Sequence, residues 1–151
     1  MGGRKPVTTR ADYADFYPLQ TRWMDNDTYG HMNNAVHYAL FDTAVNGWLI
    51  DRGLLDLRSS ETYGLVVETG CRYHAEIRFP DRLTAGLRVA RLGSSSVKYE
   101  VALFCNEDDA AAAEGFFVHV YVDRATHRPT PIDEERRAAF TTLMNEPDSL
   151  P

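Results

Sequence analysis

Cysteine is scarce: Cys71 and Cys105 are the only two in 151 residues, and they do not form a CxxC pair. That leaves no material for a disulfide framework or a thiolate zinc site, and both are expected to be reduced, buried thiols of a cytoplasmic protein. No apolar run reaches the roughly 20 residues of a membrane-spanning helix, and the opening MGGRKPVTTR lacks the apolar h-region of a signal peptide. Myristoylation finds little support either, because Pro6 stands where that motif wants Ser or Thr. Positive charge is in deficit: 16 Lys and Arg against 22 Asp and Glu give a net charge of −6. A nucleic-acid partner is therefore excluded, although a local basic patch for an anionic ligand is not. GxGxxG, P-loop, G-x-S-x-G and HExxH motifs are all missing, so no cofactor and no resident metal is expected.

What the chain does contain fits one globular domain. Apolar residues make up 44% and charged residues 25%, an ordinary balance at a length that can bury a core. Residues 1–12 are polar and aperiodic and are expected to be a flexible leader, with a single domain over 13–151. Phe16 to Trp23 is a candidate strand, with Pro18 near its start, where a missing N–H is tolerated. Residues 34–51 keep helical spacing through Tyr38, Phe41, Ala44, Val45, Trp48 and Leu49, and Ala35, Val36, Ala39, Leu40 and Ile50 fill much of the other side. A helix apolar over most of its circumference is expected to be buried, and this one would run roughly 25 Å. Asp42 and Asn46, one turn apart on it, can either position water or face solvent.

After residue 60 the period becomes two. RYHAEIRF alternates and predicts a strand over 72–79; Pro80-Asp81 turns, and 83–92 returns as another. Gly93-Ser94-Ser95 turns again into 96–105, with Val97, Tyr99, Val101, Leu103 and Cys105 inward. Residues 106–115 read as a hairpin loop, 116–123 as the last strand and 131–144 as a short helix. His74 and His119 fall on alternating strand faces as structural or exposed residues. This order predicts an α+β fold: a single antiparallel five-stranded sheet curled around a long central helix, with a short C-terminal helix.

The stretch WMDNDTYGHMNN, residues 23–34, crowds polar groups against the start of that helix. As a calcium loop it fails, since Tyr29 and Val36 stand at the fifth and twelfth ligand positions. His31 and His37 lack metalloprotease spacing. Asn33 or Asn34 can simply cap the helix, which accounts for one Asn and at most one Asp. A fuller account is chemical. A helix N-terminus exposes N–H groups able to hold a polarised carbonyl oxygen, and a neighbouring carboxylate can attack that carbonyl or activate water.

Those residues also carry a resemblance. RWMDNDTYGHMNNAVHYALFDTA resembles the signature of hotdog-fold acyl-CoA thioesterases of the 4-hydroxybenzoyl-CoA thioesterase type. The similarity continues through CRYHAEIRFPDRL, RVARLGSSSVKYEV and VYVDRATHRPTPIDEERR, from about residue 17 to 140. It implies hydrolysis of an acyl-CoA thioester, with Asp27 as nucleophile or general base and the Asn34 backbone N–H polarising the carbonyl. His31, Asn33 and Gly30 would line or brace the site, Asp25 would shape the loop, and Ser95 and Arg91 would meet the substrate. Arg88, Lys98 and Arg124 are further cations for the nucleotide phosphates. The resemblance also implies a homodimer or homotetramer with the pocket between subunits. Two other readings stay open: a thioesterase acting on acyl carrier protein, and a non-catalytic domain that binds acyl thioesters.

Overall fold

The computed structural model describes residues 5–144. Its elements run β1 (Asp15–Gln20), α1 (Val36–Asp51), β2 (Thr62–Tyr73), β3 (Arg82–Leu92), β4 (Ser96–Cys105), β5 (Ala113–Asp123) and α2 (Glu134–Thr142). The five strands form one antiparallel sheet in the order β1-β3-β4-β5-β2. Three hairpin-type neighbours, β3, β4 and β5, make its centre, and the two strands that flank α1 in sequence form its edges. The hotdog architecture expected from the sequence is thus present: a sheet wrapped around one long helix, closed by a short one.

The helix rests on the inward face of the sheet. His37, Leu40, Phe41, Ala44, Val45, Trp48 and Leu49 are buried, a stripe that recurs every three or four residues. Opposite it, Ala39, Asp42, Thr43 and Ile50 are exposed. Burial over most of the circumference was expected, and in the single chain it is confined to this stripe, because one sheet covers only one side of a helix. Asn46 donates to the Asp42 carbonyl and carboxylate, so these two residues pair along the open face. Beneath α1 lie Val97, Tyr99, Val101 and Leu103 of β4, each at most 1% exposed, with the inward alternation predicted for that strand. Phe41 sits over Gly115, where a Cβ would meet its ring at van der Waals overlap; the absent side chain lets the helix approach the sheet.

Three elements depart from the sequence-based expectation. First, β1 ends at Gln20, and Trp23 opens a 3₁₀ turn over Trp23–Asp25 instead of ending the strand. Pro18 lies on an edge strand that pairs only with β3, which tolerates the missing N–H. Second, the strand predicted over 72–79 is displaced: β2 occupies Thr62–Tyr73, and residues 74–81 leave the sheet. There the backbone is satisfied elsewhere. Met32 donates its N–H to the Ile77 carbonyl at 2.6 Å, and Phe79 donates to the Asn26 side chain. Third, β5 starts at Ala113, so the predicted loop at 106–115 is shorter, and Ala111, Ala112 and Ala113 are buried.

Residues 1–4 of the expected leader lie outside the described residues. Residues 8–12 are held on the outer face of the sheet. Thr8 donates from its N–H and hydroxyl to Glu114, and the Ala111 N–H donates to the Thr8 carbonyl. Tyr13 there closes a small second core with Ala102, Phe104 and Ala111. Burial opposes ionisation of Glu114, but its hydrogen bonds from Thr8 and its pairing with His74 hold it below the ordinary carboxylate value.

His119, on the inward face of β5, is 2% exposed, and neither ring nitrogen finds a hydrogen-bond partner among the described residues. Burial pushes its pKa down to about 4 from 6.5. The folded state therefore keeps it neutral, while the unfolded chain takes up a proton once the pH falls below 6.5. Stability attached to this group is complete above pH 6.5 and is lost as the pH falls towards 4, by roughly 3 kcal/mol for a shift of this size. His37 is shifted in the same direction, also by burial. Urea unfolding at pH 7 and pH 4.5 should show a smaller acid-induced loss in His119→Phe than in the parent chain. An equal loss in both would mean that His119 is solvated in the folded state.

Candidate active site

The polar stretch at the mouth of α1 folds into a compact loop. Asp25 is 1% exposed and ties its start: its carboxylate accepts from the Arg22 backbone N–H at 2.8 Å and from the Arg22 guanidinium at 2.7 Å. The Asp25 carbonyl accepts the Asn33 N–H at 2.9 Å. This residue shapes the loop, as the resemblance implies, with most of its capacity spent on Arg22. Next, Asp27 and His31 close a tight turn, the Asp27 N–H donating to the His31 carbonyl and the Gly30 N–H to the Asp27 carbonyl. Gly30 sits at φ +85°, a left-handed backbone that an L side chain resists.

Within this turn the Asp27 carboxylate accepts one hydrogen bond, from the Tyr29 N–H to Oδ1 at 2.8 Å. Its Oδ2 takes no hydrogen bond among the described residues. Asn33 turns its side chain to the helix start, accepting the Ala35 N–H at 2.9 Å, and its carbonyl accepts the Val36 N–H. Asn33 therefore closes the turn that leads into α1, whose N-cap, Ala35, has no side-chain cap. Asn34 behaves differently. Its carbonyl accepts from the Tyr73 hydroxyl at 2.7 Å and faces the His37 Nδ1 at 3.2 Å, while its N–H donates to no group among the described residues. An uncommitted N–H at a helix entrance is what holding a carbonyl oxygen requires.

Asp27, His31 and Asn34 line one cavity of about 480 Å³, together with His37, Tyr73 and Ile77. His31 stacks against Tyr29 with ring centroids 6.4 Å apart, and its Nε2 lies 3.8 Å from Glu76. Neither Asn33 nor Gly30 reaches the cavity wall; they fix the loop from outside it. Ser95 and Arg91 are also absent from it. The Ser95 carbonyl accepts the Tyr121 N–H at the β3–β4 turn, and Arg91 is exposed on β3 opposite Lys98. In one chain, then, Asp27, His31 and Asn34 are brought together, and Ser95 and Arg91 are not. Of the other cations, Arg88 is paired with Glu100 at 2.6 Å and Lys98 lies over the Phe116 ring. Among the described residues no group of three His, Cys, Asp or Glu is placed to hold a metal ion.

Sequence reasoning missed one wall of this cavity. Tyr73 bonds Asn34 and meets the buried His37 edge to face at 4.6 Å, and 74–77 continue the wall. Their alternation is real, but it serves the connection under the loop and not a sheet strand.

Comparison with known proteins agrees in kind with this geometry. The sequence profile described as the thioesterase-like superfamily matches residues 21–140. Among solved structures, the PA5185 protein of Pseudomonas aeruginosa strain PAO1 is 52% identical, with 93% of this chain and 99% of that one covered and a TM-score of 0.90. The PA2801 protein of the same species, described as a candidate thioesterase, is 30% identical over 84% and 98% of the two chains, with a TM-score of 0.78. A 1,4-dihydroxy-2-naphthoyl-CoA thioesterase of Synechocystis shares the fold at 17% identity, covering 83% and 94%, with a TM-score of 0.75. Among curated proteins none matches the chain.

Proposed function

Because the chain belongs to the thioesterase-like superfamily, we propose that it hydrolyses an acyl-CoA thioester to the free acid and CoA, as a member of the 4-hydroxybenzoyl-CoA thioesterase type. One observation carries this reading: the Asp27 carboxylate, with one oxygen uncommitted, lines the same cavity as Asn34, whose N–H is also uncommitted. The thioester oxygen accepts the Asn34 N–H, which draws electron density from the carbonyl carbon. Asp27 then either removes a proton from a water that attacks this carbon, or attacks it directly. In the first route the C–S bond breaks as the tetrahedral intermediate collapses, and the thiolate leaves to be protonated. In the second, Asp27 adds to the carbonyl carbon, the C–S bond breaks with release of CoA thiolate to be protonated, and water then cleaves the acyl–Asp27 anhydride to the free acid and the carboxylate. His31 and Tyr73 flank the cavity and orient the substrate.

The functional unit in this reading is a homo-oligomer. β2 pairs with β5 on one edge only, and Leu65, Val66 and Val67 on it are 40%, 47% and 60% exposed. A long apolar edge invites a second strand. Antiparallel pairing of two β2 edges sets the Thr62 end of one, with Ser95 beside it through Tyr121, against the Tyr73 end of the other, where the Asp27 cavity opens. Ser95 and Arg91 then approach the substrate from the second copy. Sedimentation equilibrium should give the mass of two or four chains; a single-chain mass at micromolar concentration would remove this arrangement.

A panel of aliphatic and aromatic acyl-CoA thioesters, with acyl carrier protein thioesters beside them, tests the activity. Saturable thiol release from one acyl-CoA class is expected. Release from carrier-protein thioesters alone would redirect the substrate, and saturable binding without release from any member would make the chain a binding module.

A further inference from the structure

Asn34 stands immediately before Ala35, the N-cap of α1, which offers the helix no capping side chain. Were the helix to begin one residue earlier, the Asn34 carbonyl would accept the Tyr38 N–H four residues on. Tyr38 instead donates to the Ala35 carbonyl at 3.3 Å, and no backbone N–H among the described residues turns to Asn34. Its carbonyl is met by two side chains, the Tyr73 hydroxyl at 2.7 Å and the His37 Nδ1 at 3.2 Å. A carbonyl only accepts, so Nδ1 carries the proton of that imidazole. Burial lowers the pKa of His37, so the ring is neutral at pH 7 and this N–H is its only one.

The two donors come from different elements. His37 is 4% exposed and lies on α1 itself, so it moves with the helix. Tyr73 is the last residue of β2 and reaches over from the sheet edge. Its ring meets His37 edge to face at 4.6 Å, so each braces the other as well as Asn34. On the far side of the same peptide, the Ala35 N–H is taken by the Asn33 side chain at 2.9 Å. The peptide between residues 34 and 35 is thus held at its oxygen and at its nitrogen, which fixes the direction of the one backbone group of Asn34 left open, its N–H. Without the Tyr73 hydroxyl, the longer of the two bonds would hold that oxygen alone, and residue 34 would be free to turn it towards Tyr38.

We propose that Tyr73 and His37 are positioning residues: together they clamp the Asn34 carbonyl so that its N–H points at the thioester oxygen. The inference rests on the reading of Asn34 as the group that polarises the carbonyl. Charge on that oxygen grows as the tetrahedral intermediate forms, so a misdirected N–H weakens the transition state more than the bound substrate. The loss therefore falls on kcat and spares KM.

Residual dipolar couplings of the weakly aligned, isotope-labelled full chain report the direction of each backbone N–H. In the parent the Asn34 coupling should fit the same alignment as the sheet amides. In Tyr73→Phe it should leave that fit while the sheet amides keep theirs and Tm hardly moves. On the acyl-CoA that the parent turns over best, Tyr73→Phe should lower kcat roughly 10- to 100-fold, with KM within about threefold. His37→Phe, which keeps a ring against Tyr73, should lose kcat in the same way. His37→Asn, whose amide N–H can stand where the Nδ1 proton does, should recover most of it. An unchanged Asn34 coupling in Tyr73→Phe, a raised KM at constant kcat, or equal losses in the two His37 variants would each overturn the proposal. Thiol release that is lost in Asp27→Asn but runs at the parent rate in Tyr73→Phe would overturn it and leave the thioesterase reading intact. No release by the parent from any panel thioester would remove that reading, and the proposal with it.

Discussion

Replacing Trp48 by alanine should lower the stability of the fold by about 3–5 kcal/mol, with a fall in Tm of roughly 10 °C for a chain of this size. Few side chains join as many parts of the molecule. Trp48 is 2% exposed and belongs to α1. Its indole N–H donates to the Asp15 carboxylate of β1 at 2.9 Å, its ring stacks on Phe140 of α2, and the Arg52 guanidinium lies 4.3 Å from the ring centroid. Arg52 also bonds Asp15 at 2.6 Å. Burial works against the charge on Asp15, yet these bonds and the Phe16 N–H keep its pKa below the usual carboxylate value. Alanine would leave a cavity where helix, edge strand and C-terminal helix meet. Trp48→Phe, which keeps an aromatic ring but loses the N–H and part of the indole volume, should cost less, about 1–3 kcal/mol. Urea unfolding of both variants checks the pair; a loss below 1 kcal/mol for the alanine variant would mean that the three elements do not depend on this contact.

The parts of the fold legible in the sequence were those buried on one defined face. β4 and β3 alternate because one side meets α1, and α1 shows its period because one stripe meets the sheet. β2 was illegible for the same reason inverted. It is a sheet edge with an irregular register between Val66 and Glu68, and neither of its faces is fully covered in the single chain, so Leu65, Val66 and Val67 sit in a row without alternation. The cleaner alternation of residues 72–79 set the start of the strand ten residues too late, at 72 where β2 begins at Thr62. At the site, the motif placed Asp27, His31 and Asn34 in one cavity because a short loop fixes them by local hydrogen bonds. It could not place Tyr73, which reaches Asn34 from 39 residues away. The distinct roles of Asn33 and Asn34 were likewise hidden: adjacent identical residues differ here only in which backbone and side-chain groups are already committed.

Replacing Asp27 by asparagine should reduce thioester hydrolysis by roughly 10²–10⁴-fold, the range associated with loss of a positioned acid or base. The amide is nearly isosteric and its oxygen can still accept the Tyr29 N–H, so the turn, Gly30 and the helix entrance should keep their geometry and Tm should hardly move. An amide neither takes the proton of an attacking water nor forms the acyl anhydride, and both routes are lost together. The Asn34 N–H, being backbone, remains available, so the substrate should still bind with its carbonyl in place. Binding and chemistry therefore separate in this one variant. The decisive measurement is acyl-CoA affinity and single-turnover thiol release determined side by side on Asp27→Asn and the parent chain. Affinity within a few-fold of the parent, with thiol release slowed at least 10²-fold, is the expected result; release at the parent rate would contradict the assignment of catalysis to Asp27.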